Sequence, residues 1–276
     1  MLGVRFHGVR GSTPCHGDDT RRYGGNTSCV EVSAPGEQPL FLDLGTGLRY
    51  AAATLPSGTF RGHALLTHLH WDHVQGLPFF TPILQPGAEL DIYGPTQGGD
   101  RTLADTLADL ITPPAFPVPL FDLPGDIRVH DVGDTTLEVG GYRIHSRLIS
   151  HKGATCGFRI EWGGRSVVYI PDHQQPADTD EVADAVRELC DGADLLIHDS
   201  QYTPAEFLQK HDWGHCTLEY AVTVAVQCEV TRLALFHHDP SHDDALLDAL
   251  EQRAATCAEA FALETFSARE GHCVEV

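Results

Sequence analysis

The 276 residues carry 39 acidic side chains against 18 Lys plus Arg, a formal balance of −21, together with 17 His. Tight sequence-independent binding of long DNA or RNA comes from basic residues that displace counterions, so this balance argues against that class of partner. It argues equally against a membrane-surface protein. With 42% hydrophobic residues the chain can bury a core, and disorder is excluded.

Short β-rich runs come first, at Val4–Val9, Ser28–Val32 and Pro39–Leu44, and Leu48–Leu55 reads as a short helix. A strand over His63–Thr67 delivers His68 at its end. Further elements are a strand at Glu89–Tyr93 and a helix at Thr102–Ile111, followed by a proline-rich loop with Pro113, Pro114, Pro117 and Pro119. Strands at Thr136–Val139, Tyr142–Ile149, Cys156–Trp162 and Arg165–Ile170 come next. The last third alternates: helix Glu181–Cys190, strand Asp194–His198, helix Leu218–Gln227, strand Arg232–Phe236, helix Asp243–Phe261. Mixed sheets covered by helices are the simplest packing for this order, an α/β protein. No composition shift marks a boundary, so residues 1–276 are expected to form a single domain. No apolar run reaches the roughly 18–20 residues of a membrane span, and the first residues lack the apolar core of a signal peptide. The eight cysteines lie singly, without a paired zinc motif, and read as reduced thiols of a cytoplasmic protein.

The most informative segment is Thr67-His-Leu-His-Trp-Asp-His73, with four candidate ligands in the six residues from His68 to His73. Alternate residues of an extended segment share a face, so His68 and His70 can point at one ion. Asp72 and His73 then open a turn or helix and can face a second. Imidazoles with a few carboxylates suit Zn²⁺, and also Mn²⁺ or Fe²⁺.

This HxHxDH segment, followed by Gly76-Leu-Pro78, resembles the metallo-β-lactamase superfamily. The resemblance spans nearly the whole chain and implies a four-layer αββα sandwich of two mixed β-sheets with two metals at the sheet edge. It further implies a His, an Asp and a His at later strand ends. His151 matches the first, Asp172 the bridging Asp (with His173 as its competitor) and His237 the last (with His238 as its competitor). By that analogy His68, His70, His151 and Asp172 hold one divalent ion, and Asp72, His73, Asp172 and His237 hold the other. The remaining histidines have no match to the pattern.

Trp213-Gly-His-Cys-Thr217, with His215 lying 22 residues before His237, resembles the corresponding segment of the phosphodiesterase branch. That branch includes ribonuclease Z and the phosphoribosyl cyclic phosphodiesterases. The resemblance implies that His215 serves as proton donor or charge stabiliser beside the scissile phosphate. The other reading is that it caps the helix beginning near Thr217. The segments Gly8–Pro14 and Arg22–Ser28 also resemble that branch, which implies glycines and hydroxyls that wall the site or bind phosphate through backbone N–H groups, although turn chemistry explains the same residues about as well. Asp43, and less strongly Asp199, are candidates to orient a ligand His.

The resemblance has gaps. Ribonuclease Z carries a long tRNA-binding arm between the third His and the bridging Asp, where only 21 residues separate His151 from Asp172. Cys15 and Cys29 are too few and too far apart for the extra zinc site of some cyclic phosphodiesterases. The expectation is therefore a hydrolase using a metal-bound hydroxide oriented by Asp72, with Asp72 and His215 catalytic. Its substrate would be a small phosphodiester, cyclic ones included, rather than tRNA; the apolar positions of the helical C-terminus, Asp244–Phe261, fit a homodimer interface and core packing equally well. A glyoxalase II-like thioesterase or lactonase shares the same ligand positions, and a metal-binding sensor without turnover is the non-enzymatic alternative.

Overall fold

The computed structural model describes residues 1–98, 100–177 and 181–276. The strands are β1 (Gly3–Gly8), β2 (Cys29–Ser33), β3 (Leu40–Leu42), β4 (Arg61–Leu65), β5 (Glu89–Pro95), β6 (Asp126–Val132), β7 (Thr135–Val139), β8 (Tyr142–Leu148), β9 (Cys156–Trp162), β10 (Arg165–Ile170), β11 (Leu195–Asp199), β12 (Arg232–Phe236), β13 (Glu264–Ser267) and β14 (Cys273–Glu275). They form two seven-stranded mixed sheets, in the orders β14-β1-β2-β3-β4-β5-β6 and β13-β12-β11-β10-β9-β8-β7. The helices are α1 (Leu48–Ala51), α2 (Trp71–Val74), α3 (Leu103–Leu110), α4 (Asp184–Cys190), α5 (Pro204–Lys210), α6 (Leu218–Gln227) and α7 (Asp244–Ala258).

Three apolar clusters define the layers. One lies between the sheets and joins Val4, Phe6, Val30 and Leu42 of the first to Ile144, Phe158, Tyr169 and Phe236 of the second. A second packs α4, α6 and α7 on the outer face of the second sheet, through Val168, Leu196, Leu218 and Leu247. A third packs α1 and α3 on the outer face of the first sheet, through Phe41, Ala64, Leu48 and Leu103. Each sheet is thus buried on both faces, which explains why β10, β11 and β12 are rich in consecutive apolar residues. The result is the αββα sandwich expected from the sequence.

Element ends differ from the expectation where capping decides them. The last helix begins after Asp243, whose side chain accepts from the Leu246 N–H, and stops at Ala258 rather than Phe261. The strand before His68 ends at Leu65, leaving His68 on extended chain beyond it. Four regular elements were absent from the expectation: β6, α5, β13 and β14.

The topology positions the site. In the second sheet β10, β11 and β12 run parallel, so their C-terminal ends share one edge. The parallel β3 and β4 of the first sheet release their chains toward the candidate residues as well. The carboxyl ends of parallel strands are where open α/β sheets place ligands.

Candidate metal centre

Every candidate ligand leaves a strand end. The chain beyond β4 carries His68 and His70, and α2 then turns Asp72 and His73 inward. His151 follows β8, Asp172 follows β10 and His237 follows β12. Their ligand atoms converge within 4.8 Å in overlapping groups: His68, His70 and His151; His68, His73 and Asp172; Asp72, His73 and His237; Asp172, His215 and His237. Asp172 joins the groups, whereas His173 turns away to meet the buried His198 at 3.1 Å. His237 enters the cluster, whereas His238 points to the Ala268 carbonyl at 2.9 Å. Burial pushes His238 down to about 3.

The outward ring nitrogens are held, which fixes the inward ones. Nδ1 of His68 meets the Thr67 hydroxyl at 3.0 Å, and Nδ1 of His151 the Gly214 carbonyl at 2.7 Å. Nδ1 of His237 meets Oε1 of Gln201 at 2.8 Å, and Nδ1 of His73 meets Asp43 at 2.7 Å. Each of these rings therefore presents Nε2 to the centre, the arrangement in which outer hydrogen bonds orient metal ligands. Gly214 has φ +102°, and a Cβ there would stand 2.6 Å from the His151 ring, so glycine is required for this contact.

Asp43 is fully buried, yet its carboxylate is saturated. It accepts from the Thr67 N–H at 2.8 Å, the Thr67 hydroxyl, the Tyr169 hydroxyl at 3.0 Å and His73. Burial disfavours charge on His73, but Asp72, Asp172 and Asp43 hold it well above the ordinary histidine range. Burial likewise opposes charge on Asp72, and His73 and His237 overcome this and lower it. His151, more isolated from carboxylates, is pushed by burial down to about 4.

The donor set fits divalent metal ions. Oδ2 of Asp172 is buried and makes no hydrogen bond among the described residues, although Nε2 of His73 lies 3.1 Å away and Nε2 of His237 3.3 Å away. These groups aim at shared points rather than at one another. Nε2 of His68 lies 2.9 Å from Nδ1 of His70, and Nε2 of His151 lies 3.3 Å from it. Two nitrogens on one tetrahedral ion stand about 3.4 Å apart, given metal–nitrogen bonds of roughly 2.1 Å.

His215 borders the cluster. Its Nδ1 donates to Oδ2 of Asp199 at 2.9 Å, and its ring stacks on His237 with centroids 5.1 Å apart. Burial works against its charged form, but the Asp199 carboxylate raises it above the ordinary value. Asp199 is itself fixed by the N–H groups of His173 and Gln201. Helix α6 is capped by the Thr217 hydroxyl, which accepts from the Tyr220 N–H. His215 is not the cap, so that reading of it falls.

Gln201 carried no expectation from the sequence, and Ser12 figured there only as one hydroxyl of the Gly8–Pro14 loop. The Ser12 N–H donates to Oδ2 of Asp72 at 2.7 Å, and Gln201 holds His237. Ser12, His70, Trp71, Asp172, His215 and His237 are among the residues lining an open cavity of about 470 Å³ over the cluster. That volume falls in the range of small-molecule sites.

Residues 53–238 match the Beta-lactamase superfamily domain. Ribonuclease Z of Mycobacterium avium is 30% identical over 273 residues, covering 87% of this chain and 87% of that protein. Ribonuclease Z of Thermococcus kodakarensis is 27% identical over 303 residues, covering 91% and 89%. The crystal structure of the metallo-β-lactamase fold protein YhfI from Bacillus subtilis superposes with a TM-score of 0.76 at 20% identity, covering 100% of this chain and 99% of that one. Relatives bearing the name ribonuclease Z lean against the expectation that long nucleic acids are excluded as partners. No helix among the described residues is long and apolar enough to cross a membrane. The chain belongs to the beta-lactamase superfamily, as a metal-dependent hydrolase of its phosphodiesterase branch.

Proposed function

We propose that residues 1–276 form one dinuclear phosphodiesterase domain that acts in the cytoplasm on a small phosphodiester, cyclic ones included. His68, His70, His151 and Asp172 would hold one ion, and Asp72, His73, Asp172 and His237 the other. The imidazole-rich donor set favours Zn²⁺. The observation that carries the reading is the Asp199–His215 pair at 2.9 Å on the rim of the cluster, which supports His215 as a proton donor for a leaving group.

When bound, two divalent ions supply Lewis acidity and a nucleophile at neutral pH. The protein supplies orientation and protons. Oδ2 of Asp72, held by the Ser12 N–H, orients the attacking water. Asp199 keeps the Nδ1 proton of His215 in place, so the protonated ring gives its Nε2 proton to the departing oxygen. Leu69 and Trp71 add apolar surface to the lining of the open cavity.

The small-substrate reading is supported by the −21 balance and by the span from His151 to Asp172, which holds the β9–β10 hairpin and no arm. The test is steady-state turnover by zinc- or manganese-loaded protein on bis(p-nitrophenyl) phosphate, a 2′,3′-cyclic nucleotide, a tRNA precursor and a thioester. Chelator-sensitive turnover of the diesters is expected. A higher kcat/KM on the tRNA precursor would replace the small substrate with RNA. Turnover confined to the thioester would replace the reaction class.

A further inference from the structure

The loop after β1 brings Ser12 to the rim of the cavity in a conformation that serine rarely adopts. Its φ is +61°, in the left-handed region where glycine is at home. The backbone contact explains the turn: the Ser12 N–H reaches Asp72, and the preceding Gly11 lies flat against the His237 ring, where a Cβ would collide. A glycine at position 12 would make the same backbone bond without strain. The hydroxyl therefore calls for its own explanation.

The hydrogen bonds around that hydroxyl assign its direction. His237 presents Nε2 to the cluster, so its Nδ1–H donates to Oε1 of Gln201 at 2.8 Å. The Gln201 amide is thereby oriented, and its Nε2 donates to Oγ of Ser12 at 3.2 Å. Oγ is an acceptor in that bond, which leaves the Ser12 O–H free to donate. It has no partner among the described residues, and the side chain is exposed on the cavity wall. No Lys or Arg lines that cavity among the described residues. Its carboxylates are acceptors only and offer an anionic oxygen nothing.

We propose that the Ser12 hydroxyl is a substrate-binding group that donates to a non-bridging oxygen of the scissile phosphoryl group. This rests on the phosphodiesterase reading above. Gln201 links that contact to His237, so substrate position and ligand orientation share one hydrogen-bonded chain.

The test uses full-length, metal-loaded wild type, Ser12→Gly and Ser12→Ala. The readouts are metal content, melting temperature, calorimetric affinity for inorganic phosphate, and kcat/KM on bis(p-nitrophenyl) phosphate. Both variants are expected to keep their metal, bind phosphate about 10-fold more weakly and lose about 10- to 100-fold in kcat/KM, the span of one hydrogen bond to a charged partner. Ser12→Gly should melt no lower than wild type, because the backbone strain is relieved. Stability kept with affinity lost is a combination that a purely structural Ser12 would not give. Unchanged phosphate affinity and kcat/KM in both variants would overturn the proposal, as would loss of metal or no measurable phosphate binding by the wild type. If the wild type hydrolyses no diester but its phosphate affinity depends on Ser12, the phosphodiesterase reading fails and the contact stands.

Discussion

The two sheets contribute to the candidate centre in different ways. The first supplies four residues from one continuous stretch, His68 to His73, partly wound into the single-turn helix α2. The second supplies His151, Asp172 and His237 at three separate strand ends and His215 from the loop before α6, over a span of 86 residues. The first half is organised locally, because an extended chain and one helical turn already place its side chains. The second half exists only once β8, β10, β11 and β12 have paired. The dispersed half also carries backbone strain, with His237 at φ +59°. Strain of that kind persists only where the surroundings over-determine it.

The sharpest way to break this comparison is at Asp172, the residue of the second half that would serve both proposed ions. Chelation, or Asp172→Asn, is expected to bring diester turnover to background and to lower bound metal below two equivalents. Retained stoichiometry with full activity would show that the halves bind independently. Next in size is His215→Ala, for which kcat should fall about 10²- to 10⁴-fold with metal content intact. Metal loss there would make His215 part of the ligand set instead. Asp43→Asn should weaken metal affinity about 10- to 100-fold by loosening His73. It should also lower stability by about 2 kcal/mol, read by urea titration, because buried donors lose their acceptor. The smallest effect is expected at Thr203→Ala, outside the candidate ligand set. There the capping box with Glu206 starts α5, and its loss should cost about 1 kcal/mol with unchanged metal content.

The same division governs what could be read from the sequence. The contiguous half announced itself, because four ligands in six residues is a dense signal and the apolar strand before it is plain. The dispersed half rested on resemblance: nothing about His151 or His237 as residue types separates them from His145 or His238. Their assignment needed strand ends, and the structure resolves Asp172 from His173 by which one faces the cluster. Strand β6 (Asp126–Val132) does alternate, with Ile127 and Val129 between Asp126, Arg128 and His130, but only two apolar residues carry the pattern and the strand lies at a sheet edge. Strands β13 and β14 are three or four residues long and depend on partners from elsewhere in the chain. Helix α5 was within reach: Thr203-Pro-Ala-Glu206 is a capping box with proline at the first position. Gln201 left no such signal, and the Gly8–Pro14 loop did not show which of its hydroxyls matters, since Ser12 and Gln201 meet across 189 residues of sequence.

Asp43 has one more consequence. It leaves β3 of the first sheet and accepts a hydrogen bond from Tyr169 on β10 of the second, while holding His73. Face-to-face sheets stand about 10 Å apart, so the bore of the active site is set by the thickness of the sandwich. A void opened between the sheets, as by Phe158→Ala, should therefore detune turnover from a distance. A comparable void on the outer face, as by Leu247→Ala, should lower the melting point and leave kcat where it was.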